Sequence, residues 1–270
     1  MNKTYADLSA LARRFEHGVL HLTLNRPESR NAMSLAMLDQ LMESLRQAES
    51  DCAVRILVLR CANGHFCSGG DIKDLAAARA RSTTAVEVIA QVNARFGQLC
   101  QAYARTPLAL IAVLEGSVMG GGFGLACVAD VALAGRDTVF GLPETSLGLV
   151  PAQIAPFLVE RLGYSEARRL AVTGGRIPAP EALRLRLVHE VHDDPAALDA
   201  ALAATISQIM LCAPGAVAAT KTLMACARVE PAETLIADAA AVFSRAVLSA
   251  EGIEGGTAFL QKRKPCWAVA

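Results

Sequence analysis

Three short stretches of the chain combine residue types suited to carbonyl chemistry. HFCSGGDIKDL (65–75) and EGSVMGGGFGLACVAD (115–130) each carry an apolar segment into small residues and then into a helix-forming run. Glycine lets a ligand approach the main chain closely, and the first amides of a helix point outward with partial positive charge. Two such amides converging on one point would form an oxyanion hole, which holds negative charge as it develops on a carbonyl oxygen. The same glycines would also serve tight turns and close helix packing, and spacing alone leaves both readings open. In the third stretch, FGLPETSLGLVP (140–151), Glu144 follows Pro143 among Gly, Leu and Val. A carboxyl among apolar neighbours can have a raised pKa and act as general acid or base; the alternative is a helix N-terminal acid placed after proline.

Other chemistries lack their motifs. No GxxxxGK[ST] occurs, GGGFGLAC lacks the third glycine of GxGxxG, and there is no GxSxG, which argues against nucleotide hydrolysis, Rossmann-type redox and serine hydrolase chemistry. His17, His21, His65, His189 and His192 form no HxxxH pair, and the HxxH at 189–192 falls on an expected strand, so packing or surface roles are expected and no metal. The eight cysteines contain no CxxC and sit mostly in apolar contexts, as expected of buried thiols in a cytosolic protein.

The elements that must position these stretches follow from periodicity. Residues 18–26 (GVLHLTLNR) alternate as a strand, and SLAMLDQLMESLRQAES repeats apolar residues at helical spacing with Ser34 as candidate N-cap. VRILVLRC reads as a buried strand running into the first glycine loop, and IKDLAAARA as the helix after it. The pattern recurs with a helix over 84–105, a buried strand LALIAVLEG, the glycine triplet, and a helix from about Phe123 to Ala129. DVALAG and TVFGL are short strands; the rest reads as helices apart from a strand at LVHEV. With 270 residues, 53% of them hydrophobic, the chain suits one large domain with an appendage: a core over 1–195 and a helical region over 196–270. Lys+Arg and Asp+Glu both number 26, so no excess charge points to nucleic acid or a membrane surface. Apolar runs stop after about seven residues, short of the roughly 20 of a membrane span, and no secretory h-region is visible, so a cytoplasmic location is expected.

Taken together, LNRPESRNAMS, HFCSGGDIKDL, EGSVMGGGFGLACVADVALAG, FGLPETSLGLVP and EGGTAFLQKRKPCW, in this order across nearly the whole chain, resemble the crotonase family of enoyl-CoA hydratases and isomerases. The resemblance implies an α/β fold, a spiral of repeated ββα units with a helical C-terminal trimerisation region, assembled as a homotrimer or as a hexamer of two trimers. It implies no cofactor beyond the coenzyme A of the acyl-CoA substrate, and no metal. By similarity the thioester oxygen is held by the backbone N–H groups of Gly70, just before Asp71, and of Gly121. The Ser68 carbonyl faces the adenine, Asp71, Ile72 and Lys73 lie beside the CoA, and Phe259 and Lys262 reach a neighbouring subunit's CoA.

Hydratases of the best-known type carry two glutamates, one two residues after the glycine triplet and one after the proline of FGxPE. Glu144 fills the second position here and Gly124 stands at the first, so a two-carboxylate mechanism in its usual form is not open to this chain. Single-glutamate members include enoyl-CoA isomerases. The segment GLVPAQIAPF also resembles bacterial hydratases for branched, carboxylated enoyl-CoAs of the methylglutaconyl-CoA and isohexenylglutaconyl-CoA type. A hydratase of that branch is therefore expected, with an isomerase or a non-catalytic acyl-CoA-binding protein as alternatives. Arg79, Arg81 and Arg95 follow the first glycine loop and are candidates for a substrate carboxylate or plain helix charges. An RNA-binding role fits poorly with the balanced charge.

Overall fold

A computed structural model describes residues 5–71, 74, 76 and 85–268; Ile72, Lys73, Arg79 and Arg81 lie outside the described residues. The chain forms two compact units, one of residues Met1–Ala104 and Leu110–Leu202, the other of Arg105–Ala109 and Ala203–Ala270.

The first unit is built on a sheet of six strands in the order β1 (Leu11–Glu16), β2 (Val19–Leu24), β3 (Ile56–Cys61), β4 (Ala109–Leu114), β6 (Val131–Gly135) and β9 (Glu190–His192). β1 pairs antiparallel with β2, while β2 with β3, β4 with β6 and β6 with β9 run parallel. All six residues of β4 are buried, which is why its sequence is an unbroken apolar run rather than an alternation. A second sheet of three strands takes β5 (Ser117–Met119), β7 (Val139–Gly141) and β8 (Arg176–Pro178). The helices among them are α1 (Leu35–Ser50), α2 (Ala85–Arg105), α3 (Gly121–Val128), α4 (Ala155–Thr173) and α5 (Ala179–Arg184). Ser34 caps α1 as expected, its side chain accepting from the Met37 amide.

Three strands escape the sequence reading. β1 carries Arg13 and Arg14 at its centre and has no apolar alternation to reveal it, while β5 and β8 are three residues each and exist through pairing. Helix α3 begins at Gly121 rather than Phe123, because seven of its eight residues are buried and packing outweighs the low helix propensity of glycine. The cysteines divide: Cys61, Cys67, Cys100 and Cys127 are buried, Cys226 is half-buried, and Cys52, Cys212 and Cys266 are exposed, against the expectation of buried thiols.

The second unit takes the end of α6 (Pro195–Met210) and then α7 (Pro214–Ala227), α8 (Ala232–Leu248) and α9 (Ala250–Leu260). The boundary drawn from sequence at 195/196 lies at the start of α6. Glu251 accepts from the Gly215 and Ala216 amides, closing the exposed N-terminus of α7, and Arg263 grips Glu254 through both guanidinium amino groups.

Candidate active site

Three parallel segments set the geometry. Cys67 pairs with Val118, and Val118 with Phe140, so the first glycine loop, β5 and β7 lie side by side in register. The Cys67 amide donates to the Ser117 carbonyl and the Met119 amide to the Cys67 carbonyl, both at 2.9 Å, and the Gly120 amide donates to Gly141 at 3.0 Å. A few residues beyond these bonds all three segments leave the pairing at the same end, the first delivering Gly70, the second Gly121 and the third Glu144. Residues far apart in the chain thus emerge together at the carboxyl ends of parallel segments.

The Gly70 amide is aimed by its neighbours. The Met33 amide donates to the Gly69 carbonyl at 2.8 Å and the Asp71 amide to the Met33 carbonyl at 3.1 Å, so residues 69 and 71 face Met33 and the Gly70 N–H points the other way. That amide makes no hydrogen bond among the described residues. Gly121 is the first residue of α3, and its N–H is one of the donors a helix leaves free. The two loops touch: a methyl built on Gly120 would stand 3.6 Å from Gly69 Cα. Between them lies the buried Cys67 side chain, whose sulfur accepts from the Gly69 amide at 3.4 Å and also meets the Gly122 amide. Burial pushes this thiol up to about 11, so it stays protonated and serves as packing.

Glu144 follows β7 and opens a single 3-10 turn over Thr145–Leu147. The methyl that would stand 3.6 Å from Gly69 would also stand 2.8 Å from Glu144 Oε1, which places the carboxylate directly against the N-cap of α3 and beside the first loop. Its Oε2 is buried without a hydrogen-bond partner among the described residues. Burial raises the carboxyl above its ordinary range. A half-buried carboxyl of raised pKa, with one oxygen unclaimed next to two outward-facing amides, is equipped to move a proton beside a polarised carbonyl. The reading of Glu144 as a plain helix-start acid does not explain the unclaimed oxygen, and its side chain caps nothing.

Gly124 is closed off. A methyl there would lie 2.4 Å from Ile154 Cγ2 and 3.6 Å from the Phe96 ring, and a methyl on Gly121 would lie 3.1 Å from the same ring. Apolar side chains from the loop before α4 and from α2 therefore occupy the volume into which a side chain at 124 would project.

The remaining expected residues are distributed as follows. Ser68 is half-buried, with its hydroxyl donating to the Ser29 carbonyl at 2.9 Å and its amide to Arg30. The Asp71 carboxylate is engaged by Arg26 Nη1 at 3.0 Å, and Arg26 also donates to the Ala32 carbonyl, which makes Asp71 a brace of the Gly70 loop. Phe259, 83% exposed at the end of α9, and Lys262 just beyond it belong to the second unit. Arg95 is exposed and lies 3.7 Å from Asp39. Sequence reading missed Arg26, Cys67, Phe96 and Ile154 as shapers of the site. The apolar residue at 154, inside a segment otherwise read only as a resemblance, was the one available signal.

An α/β spiral whose touching glycine loops and half-buried carboxyl stand at one strand end defines an acyl-thioester enzyme of the crotonase fold. Residues 14–269 match the enoyl-CoA hydratase/isomerase family, and the chain belongs to it. It is similar in structure to Pseudomonas aeruginosa AtuE, with 52% identity and a TM-score of 0.93 over 97% of this chain and 100% of that one. An enoyl-CoA hydratase/isomerase from Marinobacter aquaeolei shows 46% identity and a TM-score of 0.94 over 97% and 100% of the two chains. In sequence it is 32% identical to the 2,3-dehydroadipyl-CoA hydratase of Escherichia coli, over 92% of this chain and 94% of that protein.

Proposed function

We propose that the protein is an enoyl-CoA hydratase that adds water across the 2,3 double bond of a branched, carboxylated acyl-CoA of the glutaconyl type, using Glu144 as its one acid–base group. The observation that carries the reading is the buried, partnerless Glu144 Oε2 beside the two glycine loops. The Gly70 and Gly121 amides hold the thioester oxygen. Glu144, ionised, takes a proton from water as the water oxygen bonds to the β-carbon, and the displaced electron pair moves through the α-carbon onto the thioester oxygen as an enolate. The Glu144 acid then returns that proton to the α-carbon, so one water is added and the carboxylate is restored. Burial raises this carboxyl above its ordinary range, which makes its carboxylate a better proton acceptor than a solvated one. A carboxylated substrate is supported by the GLVPAQIAPF resemblance and by the name of the Escherichia coli relative, a hydratase of a dicarboxylic acyl thioester.

A double-bond isomerase is the second reading, favoured by the closure of position 124, since one base suffices to move a proton between carbons. We further propose a homotrimer, alone or paired as a hexamer. Ile236, Phe243, Leu248, Ile253 and Leu260, each more than half exposed on α8 and α9, support self-association. CoA is expected to enter only as part of the substrate, in the cytoplasm.

The test is to incubate the pure protein with crotonyl-CoA, a 3-enoyl-CoA and 3-methylglutaconyl-CoA while following the absorbance of the conjugated thioester. Hydration removes it, isomerisation of the 3-enoyl thioester creates it, and an inert binder leaves all three unchanged. Full hydratase activity in Glu144→Gln would overturn the mechanism.

A further inference from the structure

The loop running from Glu144 to Ile154 meets α3 at two glycines. Gly120 is the N-cap of α3 and Gly124 lies four residues on, its amide donating to the Gly120 carbonyl at 3.0 Å, so both belong to the start of the helix. At one end of the loop Glu144 Oε1 lies 2.8 Å from where a methyl on Gly120 would stand; at the other, Ile154 Cγ2 lies 2.4 Å from where a methyl on Gly124 would stand. Between these contacts the loop is tied to itself, the Leu147 and Leu149 amides both donating to the Glu144 carbonyl and the Ala152 amide to Val150. Ile154 is 3% exposed, and its neighbour Gln153 lies over Gly97 of α2 and donates to Asn93 at 2.9 Å.

We infer that Ile154 is a positioning residue for Glu144: the bare backbone of Gly124 lets Ile154 seat on the first turn of α3, and that seat holds the Glu144 carboxylate against Gly120 beside the oxyanion amides. Gly124 then has a task of its own, as the socket for the loop that carries the acid. The inference rests on the reading of Glu144 as the acid–base group, and the experiment separates the two.

Ile154→Ala, Ile154→Val, Gly124→Ala and the double variant Gly124→Ala/Ile154→Ala are compared with Glu144→Gln in the full chain, on whichever of the three thioesters is turned over. Thermal melting confirms that each is folded at the assay temperature. Ile154→Ala is expected to lower kcat about tenfold with KM within about twofold, because the carboxylate loses its alignment while CoA contacts stay. Its kcat–pH profile should also move to lower pH on the acid limb, because a loosened Glu144 meets more water. Ile154→Val keeps Cγ2 and should stay within about twofold of the parent. Gly124→Ala should resemble Ile154→Ala, and the double variant, which removes the clash, should recover part of kcat. If Ile154 were only core filling, Ile154→Ala would melt earlier but keep the parental kcat and acid limb. That result with an inactive Glu144→Gln overturns the inference and leaves the functional reading standing. An active Glu144→Gln overturns the functional reading itself. Should Ile154→Ala melt too low to assay, Gly124→Ala carries the comparison, and a parental kcat and acid limb there overturn the inference.

Discussion

Replacing Gly120 with alanine isolates the contact on which the site turns. Gly120 has φ 49° and ψ −111°, a combination outside the wells open to an L-residue, so the substitution carries a backbone strain of about 1–3 kcal/mol. The new methyl would stand 2.8 Å from Glu144 Oε1 and 3.6 Å from Gly69 Cα. The second distance is ordinary contact; the first requires a shift of roughly 0.5 Å or more, and the movable partner is the carboxylate. The steric conflict is therefore relieved by displacing the acid, leaving backbone strain to set the loss of stability, about 2 kcal/mol or a fall in Tm of ~4–6 °C for a chain of this size. The activity loss should be larger than stability alone implies, about 100-fold in kcat/KM, because the displaced group is the proposed acid–base group. Thermal unfolding by circular dichroism and initial rates of change in thioester absorbance give both numbers from one preparation. Gly70→Ala is the control: nothing lies within 4 Å of its added methyl and its φ is outside the left-handed region, so its Tm should stay within about 1 °C of the parent. A Gly120→Ala protein with parental Tm and kcat/KM would refute the reasoning.

Three further outcomes are expected. A carboxyl held above its ordinary range favours the folded state only while protonated, so Glu144 stabilises at low pH and that contribution is lost as pH rises through its pKa; Glu144→Gln should melt higher than the parent at pH 8, with the gap closing toward pH 4. His21 is buried and held down to about 4 from 6.5, chiefly by burial, so it favours the fold while neutral and loses that contribution as pH falls from 6.5 to about 4. His21→Leu should remove an acid-labile contribution of about 3 kcal/mol, measurable by denaturant titration across that window. Asp71→Asn removes the more buried of the two acidic partners of Arg26 and should lower stability by about 2 kcal/mol in the same titration, and kcat about tenfold by loosening the Gly70 amide.

The extent to which sequence exposed this architecture depended on what each residue does. α1, β3 and β4 announce themselves because apolar spacing follows burial directly, and Ser34 marks its helix through an N-cap chemistry that acts over three residues. β5 and β8 are held by partners brought from elsewhere in the chain, and no local pattern in three residues records that. The same division runs through the site. Gly70, Gly121 and Glu144 stand in motifs of unusual composition, whereas Phe96 and Ile154 look like ordinary apolar residues and gain meaning only when Gly121 and Gly124 are seen beneath them. The charge pairing of Asp71 with Arg26 spans 45 residues and likewise needed the fold.

The in-register ties among Cys67, Val118 and Phe140 imply a sharp contrast in solvent exchange. The amides of Cys67, Met119 and Gly120 are locked into carbonyls and should trade deuterium among the slowest in the chain, while Gly70, a few positions along, has no such lock. The site is then a pair of fast-exchanging protons set in a slow-exchanging frame. A bound thioester would be visible as their sudden slowing, a footprint of occupancy that needs no turnover to be seen.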